Sequence, residues 1–398
     1  MSRCSTIRHL LSIILLAASL LMRAQGAGSN ATSLLRDAGR AMADGDLVTA
    51  EEKLRWILRT SPDNYRALDL LGIVRAQQQR NREAENIFQR VIKTKPDYAS
   101  AHIDLGLLYV QMGEAEKAVA QLEEGLRLAP ERTDATAALA GVLRDEARSV
   151  SAEDPEKALS LLLRARTLAP SQPNVLFDLG MVELRMSLFR DAVDTFQQTL
   201  KIRGDDAPAT YGLGRALMEL ARFQDAHEQF VRYLAMRPDD ASGHYALGIS
   251  SAALQLATEA SSEFQKSIAL QPVQTESYFR LGLLDLEAKD YGAAEQNFQH
   301  VLDRDAKHAG ALAALGRAKL ETKKFDEAVD LLRRAIASDS SLREAHYYLG
   351  LTYARMGRKE ESDQQLQIAT EMEKQATEKQ RTVFKILDPG TNSAAGPK

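Results

Sequence analysis

Residues 207–240 read APATYGLGRALMELARFQDAHEQFVRYLAMRPDD, and most of the chain is a variation on this stretch. Counted from Ala207, Leu213 and Gly214 stand at places 7 and 8, Ala226 at place 20, Phe230 at place 24 and Pro238 at place 32. Moving the frame by 34 residues brings like onto like. Place 8 is Gly72, Gly106, Gly180, Gly214, Gly248, Gly282, Gly316 and Gly350, and place 20 is Ala50, Ala84, Ala118, Ala158, Ala192, Ala226, Ala260, Ala294 and Ala328. A period kept this strictly is the mark of a repeat architecture.

Each unit reads as two helices. Tyr211, Leu213, Leu217, Met218 and Leu220 return at helical spacing, and Phe230, Val231 and Leu234 do the same after Phe223. Pro238 then blocks further helix and turns the chain. Two antiparallel helices approach closely only where side chains are small. The glycine or alanine at place 8 is therefore expected to face the alanine at place 20, with large residues at places 4, 7, 11, 24 and 27 filling the flanks. The 34-residue period with its Leu-Gly pair, alanine, aromatic and proline resembles the tetratricopeptide repeat over about residues 31–374. That resemblance implies an all-α fold, an α-solenoid made as a superhelical stack of ten antiparallel helix pairs.

The copies are expected at residues 31–64, 65–98, 99–132, 133–172, 173–206, 207–240, 241–274, 275–308, 309–342 and 343–376. Ala38 takes the glycine place of the first copy, and Trp56, the sole tryptophan, lies on its second helix. The fourth copy has Ala140 at place 8 and six extra residues around Arg148 to Asp154, where Asp154-Pro155 suits a cap and first helical residue. In the last copy Ser362 replaces the alanine, and the second helix is expected to run on to about Ile386 as a polar cap for the stack. Residues 377–398 thus hold the end of that helix and a small, polar tail expected to be disordered.

Residues 1–26 read as a cleaved export signal, with an uncleaved anchor as the alternative. Arg3, Arg8 and His9 precede an apolar run at 10–22, and Ala24, Gln25 and Gly26 supply a small-residue cleavage site, with 27–30 as a short linker. The run is shorter than the roughly 20 residues that a spanning helix needs. Cys4, the only cysteine, precedes it, so the mature chain has no disulfide and no thiolate metal site. The whole chain carries a formal charge of −4 and has a pI near 6.1, and its nearest basic run is Lys323-Lys324. Those values exclude a nucleic-acid partner as the reading. Removal of Arg3, Arg8 and Arg23 with the signal leaves 48 basic against 55 acidic residues.

No phosphate loop, His-Glu-x-x-His pair or Gly-x-Ser-x-Gly elbow occurs, so neither a cofactor nor a metal is expected. His102, His244 and His346 share place 4 of copies several repeats apart and read as packing residues. His227 with His244, and His300 with His308, are the pairs that a repeat boundary brings nearest in sequence register.

Place 5 is more informative. It reads Leu35, Asp69, Ile103, Ala137, Phe177, Tyr211, Tyr245, Phe279, Ala313 and Tyr347, with four aromatics in consecutive copies. The family resemblance implies that first helices line a concave side into which places 2, 5, 9 and 12 point. Adjacent helices pack about 10 Å apart, so the aromatics would form a ladder, joined at place 9 by Met181, Arg215, Ile249, Leu283 and Arg317. Aromatic side chains give large contact area at small entropic cost, which suits a binding groove. Shielding of neighbouring helices is the alternative role for the same residues. Family members that clamp a C-terminal carboxylate use lysine at place 5 and asparagine at place 9; no place 5 here is basic, so that mode is not expected.

The sequence therefore points to an exported, non-catalytic scaffold that binds a protein or peptide in the groove, with no membrane span once the signal is cleaved. The alternative is a structural subunit of a cell-envelope assembly for polysaccharide export, secretion or outer-membrane biogenesis. Signal, repeats and tail leave no stretch for a catalytic domain.

Overall fold

The computed structural model describes residues 29–387, and among them every regular element is an α-helix. The expected export signal, residues 27–28 and the tail from 388 lie outside the described residues. The chain forms two compact units that divide after Gly212. The first holds α1 (Ser29–Ala43) with α2 (Leu47–Thr60), α3 (Tyr65–Gln77) with α4 (Asn81–Thr94), α5 (Ala99–Met112) with α6 (Ala115–Leu128), α7 (Thr133–Val150) with α8 (Pro155–Leu168), α9 (Pro173–Arg185) with α10 (Phe189–Arg203), and the start of α11 (Ala207–Glu219). The second continues with α12 (Phe223–Met236), α13 (Ala241–Ala253) with α14 (Ala257–Leu270), α15 (Glu276–Glu287) with α16 (Tyr291–Leu302), α17 (Ala309–Glu321) with α18 (Phe325–Ser338), and α19 (Arg343–Arg355) with α20 (Lys359–Leu387). Within each unit a helix pair packs against the next, which makes the fold an all-α solenoid. Helix α1 begins at Ser29, inside the stretch expected to be linker.

Helix starts are set by the turn residues. Asn64, Asp206 and Asp240 each accept a hydrogen bond from the backbone N–H three residues on, at 3.1, 2.9 and 2.8 Å, and so cap α3, α11 and α13. His308 does the same for α17 through Nδ1 at 3.0 Å. Asp206 and Asp240, both at place 34, are thus helix caps. Asp154 caps α8 at 2.9 Å with Pro155 behind it, and the extra residues of the fourth copy lengthen α7 to 18 residues before that turn.

The side chain nearest the glycine at place 8 is the one at place 24. A methyl group on Gly72, Gly214 or Gly248 would lie 2.6 Å from Cε1 of Phe88, Phe230 or Phe264, and one on Gly180 or Gly282 would strike Phe196 or Phe298 at 2.9 and 2.8 Å. Gly106, Gly316 and Gly350 face Leu122, Leu332 and Leu366 in the same way. The reason is reach. Places 20 and 24 stand one turn apart on the same helical face, and the long side chain at place 24 lies across the glycine while the alanines at place 20 are wholly buried.

The turn inside each pair carries a feature that hydrophobic spacing does not reveal. Place 15 adopts positive φ in nine copies: as glycine at Gly45, Gly113 and Gly357, and as Gln79, Ser187, Ala221, Gln255, Lys289 and Lys323, with φ between 54° and 62° in those six. The residue after it closes back on the helix, as where Arg222 N–H donates to Leu217 O at 2.9 Å. A side chain makes this left-handed conformation unfavourable by roughly 1–2 kcal/mol. Ala221→Gly is therefore expected to raise stability by about 0.5 kcal/mol once the greater chain entropy of unfolded glycine is subtracted. A fall in the thermal midpoint would contradict this account of the turn.

Successive pairs are also pinned by ions at place 11. Arg75, 4% exposed, is held by Glu51 of the pair before it at 2.5 and 2.8 Å and by Glu83 of its own pair at 3.2 Å. Lys319 repeats the arrangement with Glu295 at 2.5 Å and Glu327 at 2.8 Å. At Tyr109 a phenol takes the cation's place and donates to Glu85 at 2.9 Å.

Candidate protein-binding faces

The first helix of each pair carries the candidate residues, and the two units present them separately. In the first unit Phe177 on α9 and Tyr211 on α11 are half-buried. The Phe177 ring leans on Phe196 of α10, with centroids 6.1 Å apart at 59°. Met181, one turn on from Phe177, stands 37% exposed. The stripe fades earlier in the unit, where Leu35, Asp69 and Ile103 are buried and Ala137 offers only a methyl group.

The second unit presents a longer row. Tyr245 on α13 and Phe279 on α15 are half-buried and tilt against Phe264 and Phe298 of their own pairs, each with centroids 6.0 Å apart. These phenylalanines are the rings that fill the glycine notch, so each aromatic at place 5 rests on the close approach of its own hairpin. Each ring thus packs against its own pair and stays partly accessible. Tyr347 on α19 is 39% exposed and meets Tyr348 edge-on at 5.3 Å. Ala313 interrupts the row, buried. At place 9, Arg215 is exposed while Ile249, Leu283 and Arg317 are half-buried.

Place 6 supplies residues that the spacing argument passed over. Arg280 lies 5.9 Å over the Phe279 ring and pairs with Glu276 at 3.1 Å, and the Tyr245 hydroxyl donates to the same carboxylate at 3.3 Å. Burial, and then the Glu276 charge, push the Tyr245 phenol above its usual range. Arg317 spreads over Tyr348 at 5.5 Å. In the first unit Asp178 lies 3.7 Å from Arg144 and 3.9 Å from Arg148, yet burial pushes its carboxyl up against the pull of those two cations. A charged or aromatic residue directly after the place-5 aromatic was the signal available in sequence.

The place-4 histidines are braces. His102, His244 and His346 each bridge a side chain of the following helix (Gln121, Glu263 or Gln365) and the carbonyl at place 32 of the preceding turn (Pro96, Pro238 or Ser340). His227 pairs with Glu259 at 3.2 Å, and His300 stacks on Tyr278. No group of three metal-ligating side chains occurs among the described residues.

Tetratricopeptide-repeat models match residues 38–99, 70–141, 177–220, 211–275 and 285–349. The chain belongs to the tetratricopeptide-repeat family. Tetratricopeptide repeats bind protein or peptide partners and are generally non-catalytic. The chain is 30% identical over 140 residues to the type IV pilus assembly protein PilF of Pseudomonas aeruginosa, a match covering 28% of this chain and 56% of PilF. It therefore spans about half the length of that curated relative. Among solved structures it resembles a MamA fragment from Desulfovibrio magneticus RS-1, with 22% identity, a TM-score of 0.41 and cover of 42% of this chain and 96% of the other. It also resembles the Cut9–Hcn1 hetero-tetramer, with 13%, 0.47, 90% and 96% for the same measures. The third is YrrB, described as having an unusual peptide-binding site, with 18%, 0.35, 57% and 96%.

Proposed function

We propose that the chain is an exported scaffold that holds a partner protein or peptide on the faces formed by its first helices, with no chemical step of its own. The observation that carries the reading is the half-buried row at place 5. Phe177 in one unit, and Tyr245 and Phe279 in the other, each lean on a phenylalanine of their own pair and stay partly accessible, and Tyr211 is half-buried. Rings held in this way add contact area without losing much side-chain freedom on binding. Export rests on the signal-like pattern of residues 1–26, and the repeat bounds on the 34-residue period. No helix among the described residues is long and apolar enough to cross a membrane.

With the full chain as bait, replacing Tyr245 and Phe279 together by alanine is expected to cut retention of its partner about tenfold, the effect of removing an interface anchor. Helix content should be unchanged. Equal retention by the variant would count against the face.

A second reading, an envelope-assembly subunit, is supported by the similarity to PilF. Crosslinking in intact cells separates the two, because an assembly subunit returns one fixed set of partners and a general scaffold returns several.

A further inference from the structure

We infer that the first-helix face of the second unit is built for an extended peptide carrying a carboxylate at each end of a short apolar run; the inference rests on the scaffold reading above. Place 9 of four successive first helices, α11, α13, α15 and α17, reads Arg215, Ile249, Leu283 and Arg317. Two cations thus bracket two aliphatic side chains, with Tyr245 and Phe279 beside them at place 5.

The cations differ from the others on these helices. Arg280 is held by Glu276, and Lys319 by Glu295 and Glu327. Among the described residues no carboxylate lies within ion-pair distance of Arg215 or Arg317, and the one aromatic partner of Arg317 is the face of Tyr348. Arg215 is exposed and Arg317 half-buried. An unpaired guanidinium beside apolar surface favours a carboxylate that can accept two hydrogen bonds at once. Negative charge already on the face is neutralised, since Glu276 accepts from both Tyr245 and Arg280. A basic segment would therefore meet an unpaired arginine at each end of the row.

The separation sets the length of the occupant. Neighbouring helices pack about 10 Å apart, so three steps from Arg215 to Arg317 cover on the order of 30 Å. An extended chain rising about 3.3 Å per residue crosses that distance in roughly nine residues. Alternate side chains of such a strand point the same way, which would bring apolar residues down onto Ile249 and Leu283.

A random dodecapeptide library displayed on phage, panned against the full chain, tests the inference. Enriched peptides are expected to carry acidic residues about nine positions apart around an apolar centre. As fluorescein-labelled synthetic peptides followed by anisotropy, they should bind Arg215→Gln/Arg317→Gln at least tenfold more weakly than the unaltered chain, and their affinity should fall as salt is raised. Enrichment of peptides without paired carboxylates, or equal affinity for the double glutamine variant, overturns the inference. If those same peptides still lose affinity for Tyr245→Ala/Phe279→Ala, the scaffold reading survives while the carboxylate preference does not. A library that yields no binder overturns both.

Discussion

Gly214→Ala should destabilise the folded chain by about 2 kcal/mol, although it adds a single methyl group. Helix propensity pulls the other way, because alanine inside a helix is favoured over glycine by about 1 kcal/mol. The sign of the change therefore decides between propensity and packing. Packing should win because the added carbon would lie 2.6 Å from Cε1 and 2.9 Å from Cζ of Phe230, a ring only 1% exposed and without room to retreat. The chain itself supports this reasoning. The two copies with alanine at place 8, Ala38 and Ala140, have Leu54 and Leu162 at the position that Phe230 holds, while every phenylalanine there, like Leu122, Leu332 and Leu366, faces a glycine. Gly214→Ala/Phe230→Leu should accordingly fall short of the sum of its single changes by about 1 kcal/mol. Thermal or denaturant unfolding followed by helical circular dichroism measures all three variants. A Gly214→Ala curve at or above that of the unaltered chain would remove the steric basis of the hairpin.

Arg75→Met carries the other large expected effect, a loss of about 2 kcal/mol at neutral pH, because it removes the buried cation that holds Glu51 and leaves that carboxylate only one cation, the exposed Arg55, at 2.7 Å. The same pair gives a pH signature. The hydrogen bond from Arg75, opposed by burial and helped by Gln78, holds the Glu51 carboxyl down to about 2 against an ordinary 4.5. A folded-state value below the unfolded one means that the stabilisation is complete above pH 4.5 and drains away as pH falls toward 2. The methionine variant should show a flatter decline across that window than the unaltered chain. Parallel acid curves for the two proteins would show that the pair does not link stability to protonation.

The period was legible because it is written in residues that admit few substitutes. A glycine packed under a large side chain and a wholly buried alanine leave little room for change, so eight glycines and nine alanines stay in step. That the place-24 side chain lies nearest that glycine was not legible, since spacing tells which residues share a helix face and not how far a side chain reaches across to the next helix. The place-15 turn was hidden for another reason. Left-handed φ is tolerated by Gln79, Ala221 or Lys323 at modest cost, so only three of nine such positions carry the glycine that would have disclosed it. On the candidate face, Tyr245 and Phe279 stood out by type, whereas Arg280 and Tyr348 gain their meaning from what lies beside them: Glu276 for one and Arg317 for the other. The caps by Asp206 and Asp240 show the same limit, as an acidic pair in a turn reads as solvated until its N–H partner is placed.

The claim on which the functional account turns is that partners are held by first helices and not by second ones. Site-specific photo-crosslinking in intact cells tests it directly, with a benzophenone side chain placed singly at Met181, Tyr245 or Tyr347 on first helices and at Trp56, Leu163 or Val231 on second helices; of these Met181, Tyr347, Trp56, Leu163 and Val231 are exposed apolar positions and Tyr245 is half-buried. The account predicts a covalent adduct of defined mass from the first-helix positions alone. Adducts formed only, or equally well, from Trp56, Leu163 and Val231 would contradict it.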